Sequence, residues 1–138
     1  MVISGGGIGG LAAALACARV GRQVDLLEQS PVFGEVGAGI QLGPNVVKVL
    51  ETLGVGDALR RVAAFPAHLE VRNATTTERL GVLPLGKTMV QRYGAAYVTI
   101  ARADMHTLLL EAVRANGGVD LHLDSRVIGI TQNEHRVR

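Results

Sequence analysis

Aromatic residues and cysteine are scarce in this 138-residue sequence. It contains two phenylalanines, two tyrosines and no tryptophan, too few for the stacking surface that binds single-stranded nucleic acid. The one cysteine, Cys17, cannot form a disulfide within the chain, so we expect a reducing compartment, the cytoplasm. The 14 basic and 12 acidic residues are scattered and leave a net charge of +2, which provides no basic patch for nucleic acid or an anionic membrane.

Long uninterrupted hydrophobic runs are also missing. The uncharged stretch from Val2 to Ala18 is broken by glycines and has no basic segment before it. It also falls short of the ~20 residues that span a bilayer, so we expect neither a signal peptide nor a membrane helix. The length is that of one domain.

Glycine, by contrast, is abundant, with 18 residues clustered mainly at 5–10, 34–43 and 117–118. Between these clusters the sequence predicts strands over 2–3, 23–28, 97–100 and 119–123, and helices over 11–20, 44–53 and 105–115, the last capped by Asp104. We expect a loop over 34–43, paired strands at 69–71 and 79–83, and a hairpin formed by 126–131 and 136–138. This order predicts an α/β fold with a parallel sheet.

The first glycine cluster follows a strand and opens a helix. Gly5, Gly7 and Gly10 match the dinucleotide-binding pattern G-x-G-x-x-G, and Glu28 ends the next strand 18 residues after Gly10. In this pattern Gly5 permits the tight turn, Gly7 admits a pyrophosphate close to the backbone, and Gly10 lets helix and strand pack closely. Glu28 would accept hydrogen bonds from the ribose hydroxyls and repel a 2′-phosphate, which argues against NADP. NAD and FAD are both compatible with this glycine pattern and its glutamate.

Three segments resemble FAD-dependent aromatic-ring hydroxylases: residues 2–28, residues 34–45, and Arg102-Ala103-Asp104-Met105-His106. Together with Arg92-Tyr93-Gly94, they are similar to flavin monooxygenases of the salicylate hydroxylase and 3-hydroxybenzoate 6-hydroxylase type. The resemblance implies a Rossmann-like FAD-binding domain, a parallel sheet with helices and a β-meander layer. It covers about the first third of such an enzyme, so we expect residues 1–138 to be a partial FAD-binding domain. This domain would be incomplete at its C-terminal end and would lack the substrate domain.

The resemblance further implies FAD as cofactor, NADH or NADPH as reductant, and O₂ with a small phenolic or hydroxybenzoate-type ring as substrates. No nucleic acid or membrane partner is implied, and homodimer formation is left open. By the same resemblance, Arg102 contacts the flavin cofactor, the loop at 37–39 passes it, and the backbone at Val127 approaches the adenine. The predicted cofactor-binding residues are Gly5, Gly7, Ile8, Gly9, Gly10, Glu28, Gln29, Ala38, Gly39, Arg102 and Val127.

Two positions depart from the family. Gln29 stands where a basic residue usually follows the ribose glutamate, and Ala101 stands where close relatives often have histidine. Catalytic residues would follow residue 138, so none is assigned. Two alternatives stay open, namely an NAD- or FAD-linked dehydrogenase fragment and a non-catalytic dinucleotide-binding module.

A second glycine motif and the histidines are set aside. Residues 81–88 match the phosphate-loop expression G-x-x-x-x-G-K-[ST], but polar residues precede them and Gly94 follows too soon for a helix, so we interpret the match as chance. The four histidines share no metal-ligand spacing, and no metal site is expected.

Overall fold

A computed structural model describes residues 1–34 and 37–134. By their internal contacts the residues form two compact units, Met1–Glu35 with Leu109–Arg138, and Val36–Leu108. The strands of the described residues are β1 (Val2–Ser4), β2 (Val24–Leu27), β3 (Gly39–Leu42), β4 (His68–Arg72), β5 (Arg79–Pro84), β6 (Val98–Ala101) and β7 (Val119–His122). The helices are α1 (Ile8–Arg19), α2 (Pro44–Thr52), α3 (Gly56–Val62), α4 (Gly86–Tyr93) and α5 (Arg102–Asn116).

The first unit contains a parallel three-stranded sheet in the order β1-β2-β7. Leu26 in the central strand pairs with Ile3 on one side and Leu121 on the other, and it is fully buried. Helix α1 connects β1 to β2 and packs on the sheet, burying Leu11, Ala14 and Leu15. This is the predicted strand–helix–strand unit followed by the predicted third parallel strand. An α/β fold with a parallel sheet is therefore confirmed.

The ends of the helices in this unit follow from glycine. Helix α1 begins at Ile8, three residues before the predicted start, because Gly7 already has the extended conformation of an N-cap. Gly21 after α1 and Gly117 after α5 have φ values of +78° and +73°. Glycine adopts this left-handed conformation without strain, which is why both helices stop where predicted.

The second unit differs from prediction in its glycine-rich segment. Residues 39–42, predicted as loop, form β3, which pairs antiparallel with β6 so that Gly39 lies opposite Ala101. The backbone hydrogen bonds of this segment come from a strand about 60 residues later, and no local pattern reveals such a partner. Glu35 and Val36 of the predicted loop lie outside the described residues. Helix α2 starts at Pro44 as predicted, but Val49, expected to face inward, is 56% exposed.

Residues 57–98 contain the predicted pair of strands and two helices that were not predicted. Strands β4 and β5 pair antiparallel, with Leu69 opposite Leu83. Helix α3 is seven residues long, and α4 occupies the space before Gly94 where we expected no helix. The expectation of no helix before Gly94 was wrong, because a helix of eight residues fits there and ends on Gly94 at φ +75°.

The last part of the chain corrects two further predictions. Helix α5 begins at Arg102, so Asp104 lies inside its first turn and is not the residue before it. Residues 126–131, predicted as the first strand of a hairpin, contain neither helix nor strand. The predicted second strand, 136–138, lies outside the described residues. None of the helices within the described residues is long and apolar enough to cross a bilayer.

Candidate dinucleotide-binding site

The turn between β1 and α1 has the geometry that the glycine pattern requires. Gly5 has a φ of +100°, and its N–H donates to the carbonyl of Leu27 at 2.8 Å, which anchors the turn to the central strand. A Cβ at Gly10 would lie 1.8 Å from the Gly5 carbonyl oxygen and 3.6 Å from Cγ2 of Ile3. Gly10 therefore permits the close helix–strand contact that the sequence predicts.

The start of α1 is open to a ligand. The helix has no side-chain cap, and its first turn holds no acidic residue. A Cβ at Gly9 would have no heavy atom within 4 Å, so the space beside this residue is unfilled. The first N–H groups of a helix carry a partial positive charge and bind anions such as phosphate.

Glu28 lies directly beside this turn. Its carboxylate accepts the N–H of Gly6 at 2.6 Å and the N–H of Ser30 at 2.8 Å. Its backbone is hydrogen-bonded to β7 and the segment after it. The Glu28 N–H donates to the carbonyl of His122, and the Glu28 carbonyl accepts the N–H of Ser125, both at 2.8 Å. Backbone amides thus hold the Glu28 carboxylate in one orientation beside the turn.

Two neighbours of Glu28 were missed by the sequence analysis. A Cβ at Gly6 would lie 2.6 Å from Cε1 of Phe33 and 3.1 Å from Oε2 of Glu28. Gly6 occupies an unrestricted position of the dinucleotide pattern, and Phe33 lies outside it, so the pattern gives no signal for either. A side chain at position 6 would therefore force Phe33 to move.

A cleft of about 350 Å³ opens at the carboxyl ends of the three parallel strands, where ligands bind in open α/β sheets. It is lined by Ser4 and Gly5 after β1, by Leu27 to Gln29 after β2, and by Ser125 to Val127 after β7. Four of the predicted residues, Gly5, Glu28, Gln29 and Val127, therefore lie around one cavity. Ser125 and Arg126 line it without having been predicted.

Three further predicted residues, Ala38, Gly39 and Arg102, lie in the second unit. Gly39 pairs with Ala101 across β3 and β6, and the N–H of Arg102 donates to the carbonyl of Ala38 at 3.4 Å. Arg102 is half-buried, and its Cδ lies 3.4 Å from where a Cβ at Gly37 would stand. Ala38, Gly39 and Arg102 are thus neighbours, as a shared role toward one ligand would require.

The phosphate-loop match at 81–88 does not form such a loop. Gly81 to Pro84 are strand residues of β5, and they pair with β4, so their amides do not converge on a ligand. No group of three or more histidine, cysteine, aspartate or glutamate side chains within residues 1–34 and 37–134 could hold a metal ion.

Comparison with known proteins identifies the family. All of residues 1–138 match the family described as FAD binding domain. The chain belongs to this family. FAD is therefore the dinucleotide, which the glycine pattern alone leaves undecided between NAD and FAD.

The relatives of this FAD-binding domain include enzymes named as a hydroxylase and a monooxygenase. It is 42% identical over 137 residues to the 3-hydroxybenzoate 6-hydroxylase of Polaromonas naphthalenivorans, covering 99% of this chain and 34% of that protein. It is 38% identical over 138 residues to the 6-hydroxynicotinate 3-monooxygenase of Bordetella bronchiseptica, covering 100% and 35%. The chain thus spans about a third of the length of these relatives. The resemblance to aromatic-ring hydroxylases is confirmed.

Solved structures agree on the fold. Klebsiella pneumoniae HpxO, complexed with FAD and uric acid, matches with a TM-score of 0.83 at 26% identity, covering 99% of this chain and 33% of that one. The tetrameric form of 2-methyl-3-hydroxypyridine-5-carboxylic acid oxygenase matches with a TM-score of 0.81 at 28% identity, covering 99% and 36%. The FAD-binding fold expected from the resemblance is confirmed.

The observed cleft fits the adenosine diphosphate half of FAD. The open helix start suits a diphosphate, and the fixed carboxylate of Glu28 suits a ribose.

Proposed function

We propose that the chain is the FAD-binding portion of an NADH- or NADPH-dependent flavoprotein monooxygenase that hydroxylates a phenolic or hydroxybenzoate-type ring. Residues 1–138 would then be a partial domain, and the substrate domain would belong to the rest of the enzyme. The names of the two relatives support this, because both include an aromatic ring that carries a hydroxyl group.

One observation carries the cofactor assignment. The Glu28 carboxylate is fixed by the amide of Gly6 at 2.6 Å, inside the cleft that the Gly5 turn also lines. A carboxylate so close to a phosphate-binding turn is placed for the ribose between a diphosphate and a base. This arrangement supports the binding of FAD at the cleft.

The proposal gives each predicted residue a task. The turn from Gly5 to Gly10 would receive the diphosphate on backbone N–H groups. Glu28, with Gln29 beside it, would hold the adenosine ribose, and the backbone at Val127 would approach the adenine. Arg102, with Ala38 and Gly39, would contact the flavin-bearing half, where a planar cation can bind a diphosphate or a polyol. When bound, FAD supplies the electron transfer and oxygen activation, while the protein binds and orients it.

The activity can be tested with a full-length enzyme that carries this sequence. We expect NADH or NADPH oxidation to consume O₂ in the presence of 3-hydroxybenzoate, with a product heavier by one oxygen atom. Glu28→Ala should lower the FAD content of the same enzyme. The proposal would be contradicted if the enzyme reduced an artificial electron acceptor but consumed no O₂ with any hydroxylated aromatic compound. That result would favour the dehydrogenase alternative.

We place the enzyme in the cytoplasm, because NADH and NADPH are available there and Cys17 is a free cysteine. Homodimer formation stays a prediction, which sedimentation of the full-length enzyme would test.

A further inference from the structure

We infer that Arg126 binds the adenine base of the cofactor through its planar guanidinium group, an inference that rests on the proposed function. Arg126 lines the cleft that also contains Gly5 and Glu28. The other residues of the cleft wall carry no positive charge, and Glu28 adds a negative one. A ligand with a diphosphate brings further negative charge, so a cation in the wall lowers the electrostatic cost of binding.

The strand order places the base beside Arg126. Phosphates at the start of α1 lie after β1, and a ribose on Glu28 lies after β2, the next strand in the sheet. The segment from Ser125 to Val127 follows β7, the strand on the far side of β2. A nucleotide that extends across the strand ends in this direction therefore brings its base to residues 125–127.

The backbone that carries Arg126 is anchored. Ser125 donates its N–H to the Glu28 carbonyl at 2.8 Å and its hydroxyl to the Leu123 carbonyl at 2.9 Å. Asp124, in the left-handed conformation at φ +50°, donates its N–H to Ser30 at 3.2 Å. The chain thus turns back over the end of β2 and presents Arg126 at the cleft.

The Arg126 side chain belongs to none of the ion pairs found among residues 1–34 and 37–134, although Glu28 lines the same cleft. A guanidinium is flat, remains charged and stacks on aromatic faces, whereas the compact ammonium of lysine cannot stack in this way. These properties fit a purine ring and distinguish arginine from a general positive charge.

The test measures nucleotide binding to the 138-residue chain by titration in two-dimensional ¹H–¹⁵N NMR, with ADP and UDP as the probes. Arg126→Ala is expected to weaken ADP binding about tenfold, which corresponds to ~1.4 kcal/mol, and to reduce the preference for ADP over UDP. Arg126→Lys should retain little of that preference. Arg22→Ala is the matched control, since it removes the same charge from an exposed position of the same unit outside the cleft.

The outcomes separate this inference from the cofactor site. If ADP binds to the unmodified chain and Arg126→Ala leaves the ADP-to-UDP preference unchanged, the inference is wrong and the site stands. If Arg126→Lys restores ADP binding and the ADP-to-UDP preference to the values of the unmodified chain, positive charge alone explains the effect, which also overturns adenine binding by the planar guanidinium. If the unmodified chain binds no ADP, the cofactor site and the inference fail together. The spectra of each variant report independently whether it is folded.

Discussion

The contact between Gly10 and the Gly5 carbonyl makes a sharp prediction about folding. A Cβ at position 10 would stand 1.8 Å from that oxygen, and the obstacle is backbone, which cannot rotate away as a side chain can. The helix and the turn would have to separate by about 1 Å, and such overpacking has a free-energy cost near the upper end of the usual range for protein interiors. We expect Gly10→Ala to lower the free energy of unfolding by about 3 kcal/mol.

Gly9 supplies the matched control. It precedes Gly10 in the first turn of α1, but a Cβ there would meet nothing within 4 Å. Gly9→Ala should therefore raise the free energy of unfolding by about 0.5–1 kcal/mol, because alanine loses less conformational entropy than glycine in a helix. The two adjacent substitutions are thus expected to act in opposite directions.

The measurement is urea unfolding followed by far-ultraviolet circular dichroism, since the chain has no tryptophan to report by fluorescence. The loss expected for Gly10→Ala corresponds to a melting temperature lower by roughly 10 °C for a domain of this size. Equal midpoints for the two variants would refute the reasoning, because they would mean that the helix and the turn do not touch.

Three further predictions follow from other parts of the chain. Glu28→Ala should weaken ADP binding by more than tenfold in the NMR titration, since hydrogen bonds to a charged group contribute ~1.5–3 kcal/mol each. The isolated chain, after desalting, should show no stoichiometric flavin absorption band near ~450 nm, because contacts to half of a ligand forfeit much of its binding energy. The hydrogen bond from Arg72 lowers the pKa of Glu70 from its ordinary value of 4.5. Glu70→Gln should therefore be less stable than the unmodified chain at neutral pH, and thermal melts should show this difference disappearing as the pH falls through the lowered pKa.

Local patterns were sufficient to predict the elements whose limits are set by glycine and proline. Helix α2 starts at Pro44 and α5 ends before Gly117, since these residues act through their own backbone preferences. Strand β3 could not be predicted, because Gly39 to Leu42 owe their conformation to pairing with β6. Helix α4 was missed because Gly94 was expected to leave no room for a helix, whereas eight residues fit before it.

The part of the candidate site that follows the glycine pattern could be predicted from the sequence. The spacing from Gly10 to Glu28 predicted a carboxylate beside the turn, and the structure places it within hydrogen-bond distance of Gly6. Phe33 and Arg126 could not be predicted in this way. Phe33 packs against Gly6 through the fold of the segment after β2, and Arg126 reaches the cleft because the chain turns at Asp124. Neither position has a fixed spacing from the glycines.

The two glycine motifs of this chain show why such a pattern needs its structural context. Both are flanked by a strand and a helix, β1 and α1 around Gly5, and β5 and α4 around Gly86. At Gly5 the chain leaves a parallel sheet, and Glu28 at the end of the neighbouring strand faces the same turn, so helix amides and a carboxylate converge. At residues 81–84 the glycine motif lies within an antiparallel pair, where the ladder to β4 takes up its backbone groups. Strand direction and pairing, rather than glycine spacing, therefore decide which of the two motifs can bind a phosphate.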